Sequence, residues 1–212
     1  MKLWVQNIKQ PLSEGDEQLK ARVAASIGVD AGGIRSVRIV RRALDARKKQ
    51  DTHFLLRVLV DLEDTVAGSV LKRKNANVEL CSDPAKEPIK HGAEPLRGRV
   101  VVAGLGPAGL FAAFLLAREG YAPLVLERGD AIEARTNTVG RYWSQGVLDE
   151  NSNVMFGEGG AGTFSDGKLT SRSKDARGDA VLETLIRFGA PEEIAVSSKP
   201  HIGTDRLRGV VS

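Results

Sequence analysis

The stretch RVVVAGLGPAGLFAAFLLAREGYAPLVLE, residues 99–127, constrains the fold more tightly than any other in the chain. RVVVAG is a short apolar run without alternation, as expected of a strand covered on both faces. An apolar helical segment follows over about 107–119, and Gly120 closes it. APLVLE then supplies a second buried strand, which makes one β-α-β unit of a parallel sheet. The turn between the first strand and the helix is GLGPAG, with Gly104, Gly106 and Gly109 in G-x-G-x-x-G spacing. On its own that spacing is weak evidence, but here it follows a strand, opens a helix and is answered by an acid, Glu127, at the end of the second strand. Each glycine then has a physical role. Gly104 permits the tight turn, Gly106 lets the backbone approach a diphosphate, and Gly109 lets the helix pack on the strand. The helix N-terminus at Pro107 and Ala108 offers unpaired amides and the positive end of the helix dipole to an anion. Glu127 is placed to accept hydrogen bonds from an adenosine ribose, and its charge disfavours a 2′-phosphate there.

A second cluster of glycines, Gly157, Gly159, Gly160, Gly162 and Gly167, lies in FGEGGAGTFSDGKLT, residues 156–170, where ordering costs the most backbone entropy. Such a stretch is either a surface loop or a backbone that must press against something large and flat or charged. Gly159, Gly160 and Gly162 remove side chains, successive amides can form an anion nest, and Thr163 and Ser165 add hydroxyl donors. Between the two glycine segments, Arg128 and Arg135 read either as contacts to the adenine end and to a phosphate, or as ordinary surface arginines. Lys168 reads as a solvent lysine or as a charge beside a bound ring. His201 reads as a structural histidine, and His53 and His91 show no partner in the sequence. Tyr142 and Trp143 read as packing residues.

Ahead of this region lies a different pattern. Strand-like LWVQNI (3–8) is followed by a helix over 13–28, with Ser13 as cap, Leu19, Val23 and Ile27 in one stripe, and Gly28 as terminator. Strands at 34–44 and 53–62, a helix at 64–73 and a strand at 76–80 complete β-α-β-β-α-β, the ferredoxin-like order. In the third strand Phe54, Leu56, Val58, Val60 and Leu62 fall on one face, with His53, Arg57 and Asp61 on the other. Residues 82–98, with Pro84, Pro88 and Pro95, read as a linker. The expected fold is α/β, with a ferredoxin-like domain over 1–81 followed by the first part of a Rossmann-like domain over 99–212.

The net charge of +4 is uneven. Residues 1–98 carry 18 Lys and Arg against 13 Asp and Glu, and residues 99–212 carry 13 against 14. The excess is small and the N-terminal strands hold few aromatic residues, which weighs against nucleic acid as a partner. The single cysteine, Cys81, rules out an intrachain disulfide or a Cys-x-x-Cys relay within these residues and suits a reducing, cytoplasmic compartment. The longest strongly apolar run, residues 109–117, is too short to span a bilayer.

Taken together, VVVAGLGPAGLFAAFLLAREGYAPLVLERGD, NSNVMFGEGGAGTFSDGKLTSR, GAPEEI and KPHIGTDRL resemble a family of bacterial FAD-dependent dehydrogenase-like proteins of the two-dinucleotide-binding-domain flavoprotein superfamily. ALDARKK at 43–49 resembles the small α/β domain that precedes the flavin domain there. The resemblance implies FAD as cofactor and an oxidoreductase activity with an unassigned small-molecule substrate, with NAD(H) as a candidate electron donor. It implies contacts from Gly104, Gly106, Pro107, Ala108, Gly109, Glu127, Arg128, Arg135, Gly159, Gly160, Gly162 and Thr163. Another reading is a flavin-containing RNA-binding or RNA-modifying protein that uses the basic N-terminal domain. Because one β-α-β unit cannot make a covered doubly wound sheet, the chain is expected to be the N-terminal piece of a longer protein.

Overall fold

Alternation in residues 1–80 builds a mixed α/β unit around an antiparallel sheet. The computed structural model describes residues 1–82, 89–171, 173, 175 and 177–212. The elements are β1 (Lys2–Pro11), α1 (Leu19–Ile27), β2 (Ile34–Asp45), β3 (His53–Leu62), α2 (Asp64–Lys72) and β4 (Val78–Leu80), in the order read from the sequence. The sheet runs β2-β3-β1-β4, each neighbour antiparallel. One face is the core: Leu3, Val5, Ile8, Leu56, Val58, Val60 and Leu62 pack with Leu19, Val23 and Ile27 of α1 and Ala67 and Val70 of α2. β1 keeps its core face through a bulge between Val5 and Ile8, where Asn7 takes φ 59° and its amide reaches Asn77 Oδ1 at 2.7 Å.

One local expectation is corrected. Ser13 does not cap α1. β1 runs on to Pro11, the buried Gln10 side chain holds the carbonyls of Glu14 and Gly15, and the helix begins only after a 3-10 turn over Asp16–Gln18. His53, which shows no partner in the sequence, begins β3 and has one in the structure. The turn before it folds back, burying the ring with Nδ1 2.7 Å from the Asp51 carbonyl oxygen. Gly28 does end α1, at φ +68°, a conformation that favours glycine. The Arg73 guanidinium completes that helix end by donating to the carbonyls of Ile27 (2.8 Å) and Gly28 (2.9 Å).

The chain divides into two compact units. One comprises Met1–Pro88 with Ala195–Pro200, the other Ile89–Ile194 with His201–Ser212. Pro84 and Pro88 of the expected linker lie outside the described residues, and 89–98 carry neither helix nor strand. Residues 195–200, which the sequence reading leaves in the second domain, belong instead to the edge of β2. There Arg42 donates its amide to Val196 O (2.7 Å) and accepts from Ser198 N–H (3.0 Å).

The second unit contains β5 (Val101–Ala103), α3 (Pro107–Arg118), β6 (Leu124–Leu126), α4 (Ile132–Gln145), α5 (Arg177–Arg187) and α6 (Thr204–Val211). β5 and β6 pair in parallel, Val102 opposite Val125, with α3 between them in sequence. Val102 is buried, while Val101, Leu124 and Leu126 remain exposed. A separate cluster of Ala190, Ile194, Ile202, Leu207 and Val210 packs α5 and α6 together. Among the described residues no helix is long and apolar enough to cross a membrane.

Leu56 is about 1% exposed and central to the first core, so Leu56→Ala is expected to cost about 2–5 kcal/mol. Arg73→Met, which removes only the two helix-end bonds at the surface, is expected to cost about 1 kcal/mol. Urea unfolding of the two variants checks both the size and the order of these effects.

Candidate functional site

The site is built where β5 ends and α3 begins. Gly104 takes φ +88° and donates its amide to Leu126 O at 2.7 Å, turning the chain off the strand without leaving the sheet. Gly106 is the N-cap of α3, has no side chain to cap the helix, and is followed by Pro107 in the first turn. Gly109 sits in the tightest packing of the three. A Cβ there would lie 1.9 Å from Gly104 O, so only glycine lets the helix come this close. At Gly106 a Cβ would meet nothing within 4 Å. The two outer glycines are therefore demanded by the chain itself, and the middle one is not.

Glu127 closes the second side. Its Oε2 accepts from the Leu105 amide at 2.6 Å and its Oε1 from the Gly129 amide at 2.9 Å. Burial is the largest single influence on this carboxyl and pushes its pKa up. The amides of Gly129, Leu105, Arg128 and Gly157 together outweigh burial and hold it below its ordinary value. The group is therefore ionised at neutral pH, and its charge stands beside an uncapped helix N-terminus.

The glycine-rich segment comes to the same place. Gly159 donates its amide to Leu105 O at 2.8 Å, and a Cβ at Gly160 would fall 3.1 Å from Gly106 Cα and 3.3 Å from Pro107 Cδ. Gly104, Gly106, Pro107, Gly109, Glu127, Gly159 and Gly160 are thus brought together, with Ala108 in the first turn of α3. Gly162 lies in the 3-10 segment that follows, with open space beside it.

Other expected residues take different partners. Arg128 is exposed and stacks its guanidinium 3.9 Å from the Phe156 ring centroid. Arg135 is no surface arginine, and backbone carbonyls take its donors. The residue is fully buried, and its Nε, Nη1 and Nη2 donate to the carbonyls of Asn153, Glu158 and Val154. Thr163 is buried too, with its hydroxyl turned to Glu158 O at 3.3 Å, and Ser165 Oγ donates to Gly162 O at 2.7 Å. Both hydroxyls serve the loop itself because local carbonyls are within reach. Lys168 lies on the surface, paired with Asp166 at 2.9 Å, which raises its pKa. His201 is exposed and forms an isolated antiparallel bridge with Lys168. His91 meets Glu119 at 3.1 Å, and Trp143 stands edge-on to Phe164, their centroids 6.2 Å apart.

Three contributors escaped the sequence reading. Leu105 is bonded through both its N–H and its carbonyl, and Gly129 passes so close to the loop that a Cβ would lie 2.6 Å from Gly157 Cα. Glu158 caps α4, its Oε2 accepting from the Ile132 amide at 2.8 Å. A glutamate 26 positions away carries no local signal of that role. Elsewhere in this unit an apolar groove of about 150 Å³ is lined by Leu110, Phe111, Phe114, Leu185, Phe188 and Val210 among others. It has no titratable group and offers packing rather than chemistry. Among the described residues no three His, Cys, Asp or Glu side chains gather as metal ligands.

Comparison with known proteins adds two findings. Residues 1–61 match the model of a domain of unknown function, DUF8436. An uncharacterized protein of Clostridium beijerinckii is 44% identical over 213 residues, which cover 100% of this chain and 39% of that protein. The chain thus spans well under half the length of that relative.

The lowered pKa of Glu127 gives a signed prediction. The stability it confers is present above its ordinary value of 4.5 and is lost as pH falls through the lower folded value. Acid unfolding followed by Trp143 fluorescence, in a Trp4→Phe background, is therefore expected to be steeper below about pH 4.5 in the parent than in Glu127→Gln. Parallel curves would remove the carboxylate–amide bonds from the account.

Proposed function

We propose that the second unit is the dinucleotide-binding part of an FAD-dependent oxidoreductase, with a Rossmann-like β-α-β unit as its core and the first unit as an attached ferredoxin-like domain. The observation that carries the reading is the free space at Gly106. Gly104 and Gly109 are required for folding, whereas the missing side chain at Gly106 serves nothing within the chain. Gly106 lies at an uncapped helix N-terminus beside an ionised carboxylate. That is where a diphosphate must approach the backbone if a nucleotide's ribose meets Glu127.

In this reading the amides of Ala108 and Gly109 face the diphosphate, Glu127 takes the adenosine ribose, and Arg128 lies toward the adenine. Gly159 and Gly160 seat the loop against its own chain, and Gly162 leaves open space beside it. Bound FAD would supply two-electron transfer between a reduced donor, with NAD(H) as a candidate, and an acceptor. With Cys81 as the only cysteine of these residues, no dithiol relay within them takes part. Substrate chemistry and the completion of the sheet are assigned to the longer polypeptide that the Clostridium relative exemplifies.

The test is to purify the protein as its gene encodes it, record its absorbance, and reduce it anaerobically with NADH, NADPH or dithionite. The flavin bands are expected to be present and to bleach. A colourless protein that refuses added FAD ends the reading. Gly106→Ala sharpens the test. Folding is expected to change by no more than about 0.5 kcal/mol, because the new methyl meets open space in an ordinary extended conformation. FAD affinity is expected to fall about tenfold or more, since one lost close approach is worth at least ~1.4 kcal/mol. Gly109→Ala, by contrast, is expected to destabilise the unit whether or not flavin is present.

A specific feature of the first unit favours a second, subordinate reading. On the sheet face away from the helices Arg41 stands directly opposite Arg57, which lies 4.7 Å from the Trp4 ring centroid, and Arg38 pairs with Leu59 on the same face. Like charges placed opposite one another are costly, and Glu79, 4.0 Å from Arg57, answers only one of the two, so single-stranded RNA is the partner to try. Binding that weakens with salt and is lost in Arg41→Ala supports it. Weak binding with no salt slope rejects it.

A further inference from the structure

A fully buried arginine needs an explanation, because taking a guanidinium out of water is costly unless its donors and its charge are both answered. At Arg135 the donors are answered by one loop. Nε donates to Asn153 O at 2.9 Å, Nη2 to Val154 O at 3.0 Å and Nη1 to Glu158 O. The charge is answered by Glu127 and Glu158, whose carboxylates oppose the effect of burial on its pKa. The loop follows the arginine closely. A Cβ at Gly157 would fall 2.5 Å from Arg135 Cδ, and the guanidinium carbon lies 4.9 Å from the Phe164 ring centroid. The next residue after the last carbonyl held is Gly159, whose amide bonds Leu105 O.

We infer that Arg135 is the positioning residue of the site. It holds residues 153–158 from beneath, so that Gly159 and Gly160 stay seated against Gly106 and Pro107 and form the second wall of the nucleotide cleft. The pinning half of this inference stands on the geometry alone, and the ligand half rests on the FAD reading. A lysine does not replace the arginine. Its ammonium is a single point with three donors, whereas the three carbonyls are met by three nitrogens spread over a planar fork.

The experiment compares the protein as encoded with Arg135→Lys and Arg135→Ala, by amide hydrogen exchange without ligand and by FAD titration. In Arg135→Lys the amides of 156–160 are expected to exchange about tenfold faster, the loss of one charge-assisted bond, while those of β3 in the first unit keep their protection. FAD is expected to bind about tenfold more weakly or worse on the same scale. In Arg135→Ala, tens of millimolar guanidinium, at a level far below denaturation, is expected to restore part of the affinity, and ammonium at the same level is not. That rescue separates a positioned cation from general structural damage. Unchanged protection of 156–160 in Arg135→Lys overturns the pinning. A loosened loop with unchanged FAD affinity overturns its bearing on the site. A parent protein that takes up no FAD defeats the functional reading, and the exchange comparison still decides whether Arg135 holds the loop.

Discussion

The backbone of Leu105 is the tie on which the second unit depends. Its N–H is held by Glu127 at the end of β6 and its carbonyl by the Gly159 amide. One residue therefore joins three segments that are far apart in sequence: the turn after β5, the end of β6 and the glycine-rich loop. It can do so only because Gly109 lets α3 approach until a methyl would lie 1.9 Å from Gly104 O. If the helix were moved out by the width of a methyl, the Leu105 backbone would leave the reach of one partner or both. The glycines are best understood as a way of making this residue's backbone accessible from two sides, and their entropic cost is offset by the bonds that result.

The two units meet the problem of burial differently. The first has a closed core, with sheet and helices sharing apolar residues from five of its six main elements and Val78 of β4 completing the set. In the second, two strands cannot cover both faces of a parallel sheet. Val101, Leu124 and Leu126 accordingly stay exposed while only Val102 is buried in the strand pair. What organises the second unit locally is polar: buried Arg135 and Thr163, and the carboxylates of Glu127 and Glu158 directed at backbone amides. Such a network specifies one loop conformation, since each donor or acceptor left unmatched in it would be costly.

Much of the fold was legible because it follows from local pattern. The period-two alternation of β3, the stripe of Leu19, Val23 and Ile27, and the stop at Gly28 all reappear in the structure. The glycine spacing and the acid at 127 were legible for the same reason, since strand, turn and helix are contiguous. What was not legible depends on partners distant in the chain. Ser13 looked like a cap until Gln10 claimed the same turn. Arg135 read as a phosphate contact or a surface arginine and not as a buried residue, yet a signal was present: it falls with Ile132 and Val139 at i, i+3 and i+7, and these three are the buried residues of α4. An arginine in the middle of an apolar helical stripe is a buried arginine in search of carbonyls. Its partners, the main-chain oxygens of 153, 154 and 158, have no side-chain identity to read.

The placement of Glu127 bears on what the cleft can accept. A carboxylate beside a helix N-terminus is a natural competitor for that helix's amides, and if it bound them there would be none left for an anion. It does not. The amides that Glu127 engages at 2.6 and 2.9 Å belong to Leu105 and Gly129, which flank the strand ends and lie outside α3. Gly106, as N-cap, has no side chain to take the first-turn amides either. In the proposed reading, the protein's carboxylate and a ligand's diphosphate would thereby draw on separate sets of donors. The backbone amides of Gly129, Leu105, Arg128 and Gly157 all act on this carboxyl, so its position is set by the chain itself. In the proposed reading, a preset acceptor of this kind would cost a ribose little reorganisation.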